Sequence, residues 1–311
     1  MSARRFIAVI LATIVAGYVL LAAFASAVDP YEIIGSPRFA GWNQHKYEMV
    51  PFERTIKFHR MRQIRPLAIA TGTSRANAGL RPASVERYAG RAYNFALNGA
   101  TVEEIGAAVG FSIRVIKVKT VIFGMDPVSF INISDGQLAN IRGRSEGGRW
   151  SQLNDLLRHT LTFRALLDAL GTVWRNSRGL APSHGPRGMY IGYGTTEITK
   201  TNRFASFKPA RETAFATFEQ MCALARRYNV DLKLFVSPVH ISNRPYPAYR
   251  SAWLARMRAI AGRKGYAVYD PDADLKLAEN KDNFFDSGHY KPGIGDRILA
   301  GLYNRPKNRT R

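Results

Sequence analysis

The sequence predicts an α/β protein with a parallel sheet of about five strands, preceded by one apolar N-terminal helix. Two observations support this prediction. From Pro66 onward, short apolar runs alternate with segments of helical periodicity, an order typical of a parallel sheet whose connecting helices cover both faces. Before that, residues 6–28 carry no charged side chain, and such a stretch is long enough to cross the hydrocarbon core of a bilayer as a helix.

Five short apolar runs are predicted strands, and four longer amphipathic segments are predicted helices. The helix that begins near Thr101 has Glu104 three residues later, which is the capping-box pattern of a helix N-terminus. The predicted strands are 67–71, 92–95, 119–123, 230–236 and 266–269, and the predicted helices are 101–116, 209–228, 248–263 and 292–303.

The N-terminal apolar segment predicts a membrane anchor that leaves the rest of the chain exported. Two arginines at positions 4 and 5 precede it and Asp29 follows it, so the positive-inside rule places the N-terminus in the cytoplasm. We therefore expect a single-pass protein of the inner (cytoplasmic) membrane with an extracytoplasmic, periplasmic C-terminal domain. A cleaved signal peptide is the alternative, because Ala-Ser-Ala at 25–27 resembles a signal-peptidase site. The apolar stretch is longer than a usual signal-peptide core, which favours the anchor.

The predicted elements divide the chain into four regions. These are a cytoplasmic stub and anchor at 1–28, a juxtamembrane segment at 29–65, an α/β domain at 66–303 and a disordered basic tail at 304–311.

One long stretch, residues 134–206, interrupts the strand–helix alternation inside the α/β domain. It contains a leucine-rich helix at 153–174 and a loop rich in Gly, Pro and Ser at 178–193. An insertion at the C-terminal end of a sheet strand is well placed to form a lid or a substrate platform. A helix that only packs on the core is the alternative.

Composition narrows the functional classes. The 45 Lys and Arg against 23 Asp and Glu give a net charge of +22, which favours an anionic partner or a merely solvated basic surface. No nucleic-acid-binding motif accompanies the charge, so we expect lipid head groups or polysaccharides rather than nucleic acid. The single cysteine, Cys222, excludes an intramolecular disulfide and is predicted to be a core thiol. Scattered histidines and the lack of a glycine-rich cofactor loop predict no metal and no cofactor.

A catalytic site with a serine nucleophile is predicted at the C-terminal edge of the sheet. Ser74 follows the first strand in a glycine-containing turn, a recurrent way to expose a nucleophile. Its hydroxyl needs a base and the base needs an orienting acid, and Asp286-Ser287-Gly288-His289 offers both. Gly99, after the second strand, and Ser74 itself have backbone N–H groups that are candidate oxyanion donors. The structural alternatives are that Ser74 caps a turn, that Gly99 is a left-handed turn residue, and that Asp286 and His289 cap the last helix.

The order of these motifs resembles the four sequence blocks of the SGNH (GDSL-like) hydrolase superfamily over about 66–303. The resemblance implies a three-layer, flavodoxin-like fold with Ser74 as nucleophile, His289 as base, Asp286 as orienting acid, and the Gly99 and Ser74 amides in the oxyanion hole. With its anchor and basic exported domain, the chain resembles branches that modify polysaccharides or cell walls, such as the D-alanyl transfer protein of teichoic acids and the alginate acetylation proteins. That similarity implies a multipass acyltransferase as a candidate partner.

The chain departs from the family pattern at two positions. Thr73 replaces the aspartate before the nucleophile, and Asp126 replaces the usual asparagine of the oxyanion hole. An ionised Asp126 would repel an oxyanion unless it is protonated or turned away, so Asn98 is a candidate replacement. Arg75 is a candidate ligand for an anionic substrate group or a partner in a salt bridge, and His240, after the fourth strand, is a substrate ligand or a structural histidine.

Three functions follow from these features. The first is serine-dependent acyl transfer or ester hydrolysis on an acyl-bearing carbohydrate of the cell envelope. The second is a non-catalytic envelope protein that keeps the scaffold to bind an anionic glycan or a membrane partner, as Asp126 and the basic surface would suggest. The third is a lipid-directed esterase that uses the helix at 153–174 as its lid.

Overall fold

The structure is a computed structural model that describes residues 2–133, 137–146, 148–185, 187–198, 208–271, 273 and 275–304. The chain divides into two compact units. The anchor unit comprises Met1–Gln63 and Gly147–Ser183, and the sheet unit comprises Ile64–Glu146 and His184–Arg311. Residues 305–311 of the predicted basic tail (304–311) lie outside the described residues. So do 134–136, 147, 186 and 199–206 of the predicted insertion.

The helices and strands alternate through the sheet unit. The strands are β1 Ala68–Gly72, β2 Ala92–Asn94, β3 Thr120–Met125, β4 Asp231–Val236 and β5 Val268–Tyr269. The helices are α1 Ala3–Val28, α2 Met49–Ile64, α3 Ser74–Gly79, α4 Pro82–Ala89, α5 Val102–Phe111, α6 Pro127–Ile131, α7 Gln137–Glu146, α8 Gly148–Thr160, α9 Phe163–Ser177, α10 Glu212–Arg227, α11 Pro247–Arg263, α12 Lys276–Glu279 and α13 Pro292–Tyr303.

The five strands form one parallel sheet in the order β2-β1-β3-β4-β5. This confirms the predicted α/β class with a five-stranded parallel sheet and an apolar N-terminal helix. The order is that of flavodoxin-like doubly wound sheets. The chain adds β2 on one side of β1 and the later strands on the other side, so the order of connection reverses between β1 and β3. In open α/β sheets, ligands bind in the crevice outside the carboxyl ends of the strands at such a switch point.

The two faces of the sheet bury different helices. Neighbouring residues of a strand point to opposite faces, and in β3 Phe123 packs 6.3 Å, ring to ring, from Phe218 of α10. Ile122, on the other face, belongs to a buried cluster with Ile298 and Leu299 of α13. Each such side chain stabilises the fold by about 1.5–3 kcal/mol when fully buried, so α10 and α13 are held on opposite sides of the sheet.

Glycines bring α3 and α13 into direct backbone contact. A Cβ added to Gly295 would overlap the carbonyl oxygen of Gly79, and one added to Gly79 would overlap the Tyr290 ring. No larger residue fits at either position without moving a helix. This contact fixes the start of α13 against the helix that begins with Ser74.

The predicted start of α5 is confirmed in detail. Thr101 Oγ1 accepts the Glu104 N–H and the Glu104 carboxylate accepts the Thr101 N–H, which completes the capping box. The helix then passes into a π-helical turn at Ser112–Ile116, so the predicted segment 101–116 is helical throughout but not uniformly α-helical.

The anchor unit contains α1, α2, α8 and α9. The predicted helix at 153–174 is two helices, because the chain breaks at Leu161 and Thr162, where Thr162 Oγ1 caps α9 by accepting the Ala165 N–H. Helix α1 ends at Asp29, whose left-handed backbone (φ 48°) turns the chain while its carboxylate accepts the N–H groups of Ile33 and Gly35. Among the described residues, α1 is the helix long and apolar enough to cross a membrane.

Candidate active site

The end of β1 places Ser74 at the switch point of the sheet. Gly72 has φ 144°, and a Cβ there would lie 2.6 Å from the Gly124 carbonyl oxygen of β3. Glycine is therefore required for the close passage of the two strands. Thr73 follows in extended conformation as the N-cap residue and makes no side-chain cap, so Ser74 is the first residue of α3. The N–H of that position has no partner within its helix.

A second loop brings Asp286 and His289 to Ser74. His289 Nε2 lies 2.8 Å from Ser74 Oγ, and His289 Nδ1 lies 2.8 and 2.9 Å from the two carboxylate oxygens of Asp286. Because Nδ1 donates to the carboxylate, Nε2 is free to accept the serine proton. The His289 and Asp286 side chains are 22% and 33% exposed, so the three residues are reachable from solvent.

Asp286 and His289 belong to one local turn, which holds the carboxylate and the imidazole together. Asp286 Oδ1 also accepts the backbone N–H groups of Gly288 and His289, at 2.7 and 2.9 Å. The carboxylate is thereby fixed and the imidazole can be held in one orientation. Helix α13 begins after Lys291, with no side-chain cap, so Asp286 and His289 do not cap it.

The Asp126 carboxylate contacts three neighbouring groups. It caps α6 by accepting the Val128 N–H at 2.9 Å, accepts the Thr73 hydroxyl, and pairs with Arg75 Nη1 at 3.0 Å. Asp126 is 1% exposed and Arg75 8% exposed, so the pair is buried. Asp126 is therefore a structural carboxylate whose charge is balanced by Arg75.

Arg75 connects the two loops of the site. Besides Asp126, its guanidinium donates through Nε to the Gly288 carbonyl at 3.1 Å. The residue after the serine thus holds the loop that carries His289. A carboxylate and a carbonyl oxygen bind two of its nitrogens, Nη1 and Nε, so the salt-bridge alternative describes the position of this side chain.

The segment after β2 lies along β1 and reaches the same edge. Leu97 N–H donates to Gly72 O at 3.0 Å, which brings Asn98 and Gly99 beside the start of α3. Asn98 Oδ1 accepts from Asn77 Nδ2 at 2.9 Å, one turn of helix after Ser74. Gly99 has φ 64°, a left-handed conformation that glycine adopts without strain.

His240 caps a turn beside the loop of Asp286. Its N–H donates to the Ser287 carbonyl at 3.1 Å, and its Nδ1 accepts the Ser242 N–H. Burial lowers the pKa of this imidazole, which favours its neutral form. The local bonds account for its conformation.

Tyr193, which the sequence analysis did not single out, contacts His289. The Tyr193 ring packs against the His289 imidazole with 4.5 Å between centroids and stacks on Phe285 at 5.6 Å. Tyr193 lies in the Gly- and Pro-rich loop that the sequence assigned to an insertion. The N–H of nearby Tyr190 donates to both the backbone carbonyl and the side-chain Oδ1 of Asn77 in α3. The Tyr-x-Gly-Tyr-Gly run at 190–194 was the available signal.

Two other kinds of reactive site would be the thiol of Cys222 and a cluster of metal-binding side chains. Cys222 is fully buried in α10, and desolvation raises the pKa of its thiol to about 12. In the described part of the chain, no group of three His, Cys, Asp or Glu side chains has the arrangement of a metal site.

In comparisons with known proteins, no protein-family model matches the chain. A search of curated proteins likewise finds no match.

Proposed function

We propose that this protein is a membrane-anchored serine enzyme of the SGNH type that transfers or hydrolyses acyl esters of an envelope carbohydrate. The observation that supports this best is the continuous chain of hydrogen bonds from Ser74 Oγ through His289 to Asp286. It combines the three roles of nucleophile, base and orienting acid. Its position at the β1/β3 switch point is where open α/β sheets bind ligands.

In the proposed reaction, Ser74 Oγ attacks the ester carbonyl carbon while His289 Nε2 takes the hydroxyl proton. The negative charge moves to the carbonyl oxygen, and the Ser74 and Gly99 amides are the proposed donors to it. The C–O bond to the leaving alcohol then breaks and His289 returns the proton to that alcohol. Asp286 stays ionised and stabilises the imidazolium.

The acyl-serine is resolved by a second proton transfer. Water, or a carbohydrate hydroxyl in the transfer reaction, attacks the acyl carbon as His289 removes its proton, and Ser74 leaves as the alcohol. The two outcomes differ only in which acceptor reaches the acyl-enzyme. Asp126 does not stand against this chemistry, because its carboxylate is committed to Arg75, Thr73 and Val128.

The proposal places the enzyme at the outer side of the cytoplasmic membrane, held by α1. Ala25 and Val28, at the end of α1, are buried against Ala169 within the anchor unit. A helix that completes a buried cluster is better explained as a retained anchor than as a cleaved signal peptide. A multipass acyltransferase remains the proposed donor partner, by analogy with the family alone.

The test is ester turnover by the full-length protein in detergent, with acetyl and long-chain chromogenic esters. Ser74→Ala and His289→Ala are expected to lower kcat at least about a thousandfold, because removal of either group abolishes nucleophilic activation. Ser287→Ala, in the same loop as His289, serves as the matched control and is expected to keep wild-type activity.

Three results would alter the assignment. Wild-type rates in Ser74→Ala would exclude the proposed nucleophile. Preference for long-chain over acetyl esters would favour the lipid-directed alternative. Salt-sensitive glycan binding without turnover would favour the non-catalytic alternative.

A further inference from the structure

The helices α8 and α9 form a hairpin that exposes one apolar stripe on each helix. On α9 the exposed residues follow the spacing i, i+4, i+7 and i+11, which is one face of a helix. On α8 the exposed apolar residues lie three or four positions apart. The apolar stripe comprises Trp150, Leu153, Leu157, Leu161, Phe163, Leu167, Leu170 and Trp174.

These residues are exposed while the opposite face of α9 is buried in the anchor unit. Phe163 and Trp150 are 74% and 81% exposed, whereas Ala165 and Ala169 are fully buried. Large apolar side chains exposed along one face of a helix, on a protein with a high net charge, mark a site that contacts another apolar phase.

The hairpin lies alongside the proposed anchor. Ala169 of α9 is buried with Ala25 and Val28 of α1, and at the hairpin tip the Tyr18 hydroxyl donates to the Leu161 carbonyl at 2.5 Å. Tyr18 is twelve residues after Phe6 in the uncharged run, or about 18 Å along a helix. The hydrocarbon core is about 30 Å thick, so with Phe6 at the cytoplasmic boundary the tip lies within the outer leaflet.

Several polar backbone groups at the tip have internal partners, which lowers the cost of placing them in hydrocarbon. The Leu161 carbonyl accepts the Tyr18 hydroxyl, and the Leu161 N–H donates to Leu157 O. Thr162 satisfies two donors of the first turn of α9, through its side chain to Ala165 and its carbonyl to Leu166.

The charges of the hairpin match a lipid surface. The exposed charged side chains described on it are arginines, while Asp155 and Asp168 are buried. Arg164 is neutralised by Asp168 at 2.7 Å, and Arg178 lies over the Trp174 ring, 5.4 Å from its centre. Trp and Arg side by side are typical of the head-group layer, and arginines attract anionic lipids.

From these observations we propose that the α8–α9 hairpin is a second membrane-contacting element, whose apolar stripe is inserted into the outer leaflet beside α1. The occupant of the stripe is phospholipid. This inference rests on the proposed anchoring by α1, and it adds a contact that holds the anchor unit against the bilayer at a fixed depth.

The test uses the full-length protein with Cys222→Ala, reconstituted in vesicles of zwitterionic and anionic phospholipid. Single cysteines that carry an environment-sensitive fluorophore replace Phe163 or Leu170 on the stripe, Ile14 on α1, and Tyr228 on the sheet unit. Quenchers are nitroxide groups on the acyl chains, placed shallow or deep, and iodide in the water.

The Phe163 probe at the hairpin tip and the Ile14 probe are expected to be quenched by deep acyl-chain nitroxides, because both positions lie near the middle of the bilayer. The Leu170 probe, close to the end of α1, is expected to be quenched by shallow nitroxides, and all three probes are expected to be protected from iodide. The Tyr228 probe is expected to respond to iodide alone. Quenching at Ile14 with iodide-accessible stripe probes would overturn the hairpin proposal and leave the anchor intact. No lipid quenching at Ile14 would overturn the anchoring itself. Stripe probes that are shielded from both quenchers would identify a protein occupant, a second copy or another chain, and overturn the lipid assignment.

Discussion

The buried pair of Arg75 and Asp126 provides a sharp test of the site, because the two interpretations of Asp126 predict opposite results for Asp126→Asn. If the carboxylate stood in the oxyanion hole, the amide would be an improved donor and ester turnover would rise. In the structure, Asp126 instead neutralises a guanidinium that is 8% exposed. Asp126→Asn is then expected to destabilise the sheet unit and to leave turnover no faster.

The expected loss of stability follows from which contacts each substitution removes. Asparagine keeps an acceptor for the Val128 N–H but leaves Arg75 buried without its counter-charge, at a cost of about 3–5 kcal/mol. Asp126→Ala also removes the cap of α6 and costs about 1 kcal/mol more. In Arg75→Met with Asp126→Asn both charges are gone, so part of the stability should return.

Cys222 supplies an assay specific to the sheet unit. It is the only cysteine and is fully buried, so in urea a thiol reagent labels it as the sheet unit unfolds. Glu212→Gln is the matched control, because its pair with Arg256 is exposed and solvent-exposed ion pairs contribute little to stability. A labelling midpoint for Asp126→Asn equal to that of the control, together with faster ester turnover, would refute the assignment of Asp126 as a structural carboxylate.

Three further substitutions test other parts of the account. Gly295→Ala should destabilise the sheet unit by about 1–3 kcal/mol, since a Cβ there overlaps Gly79, whereas Gly293→Ala in the same helix meets no atom; equal urea midpoints for the two would contradict the close contact. Tyr193→Ala should lower kcat/KM about tenfold or more by loosening His289, while Tyr193→Phe keeps the ring and the activity; equal loss in both would assign the effect to the hydroxyl. Burial lowers the pKa of Lys46 from 10.5 to about 8. Between pH 8 and 10.5 the amine is therefore mostly neutral in the folded protein and protonated in the unfolded chain, so unfolding takes up a proton. The free energy of unfolding should rise by up to about 3 kcal/mol over that pH range. Tryptophan fluorescence in urea should show that rise flattened in Lys46→Met, and an unchanged rise would exclude Lys46 as its source.

The sheet could be predicted from the sequence because its signals are local. Each strand is a short apolar run, and the capping residues Thr101 and Glu104 stand three positions apart. Helix α2 at Met49–Ile64 was not predicted from the sequence. Its buried face includes Glu53, Lys57 and His59 as well as apolar residues, so the segment lacks a clear apolar periodicity. Those polar side chains are satisfied by partners such as the Glu53–Lys57 pair and Asp155, and the pattern of hydrophobicity alone does not reveal them.

The grouping of 147–183 with the N-terminal residues also could not be predicted. It depends on contacts such as Tyr18 to Leu161 and Ala25 to Ala169, which join positions far apart in the sequence. The role of Asp126 was equally hidden, because its partner Arg75 follows a different strand and the two meet only when β1 and β3 pair. The spacing of Asp286 and His289, by contrast, is a local turn, and the sequence indicated it directly.

The central claim is that Ser74 is an activated nucleophile, and labelling by a fluorophosphonate probe tests it most directly. The full-length wild type and Ser287→Ala are expected to be labelled, Ser74→Ala is expected to remain unlabelled, and His289→Gln should label far more slowly because the base is missing. A folded wild type that takes up no probe, or labelling that persists in Ser74→Ala, would contradict the account.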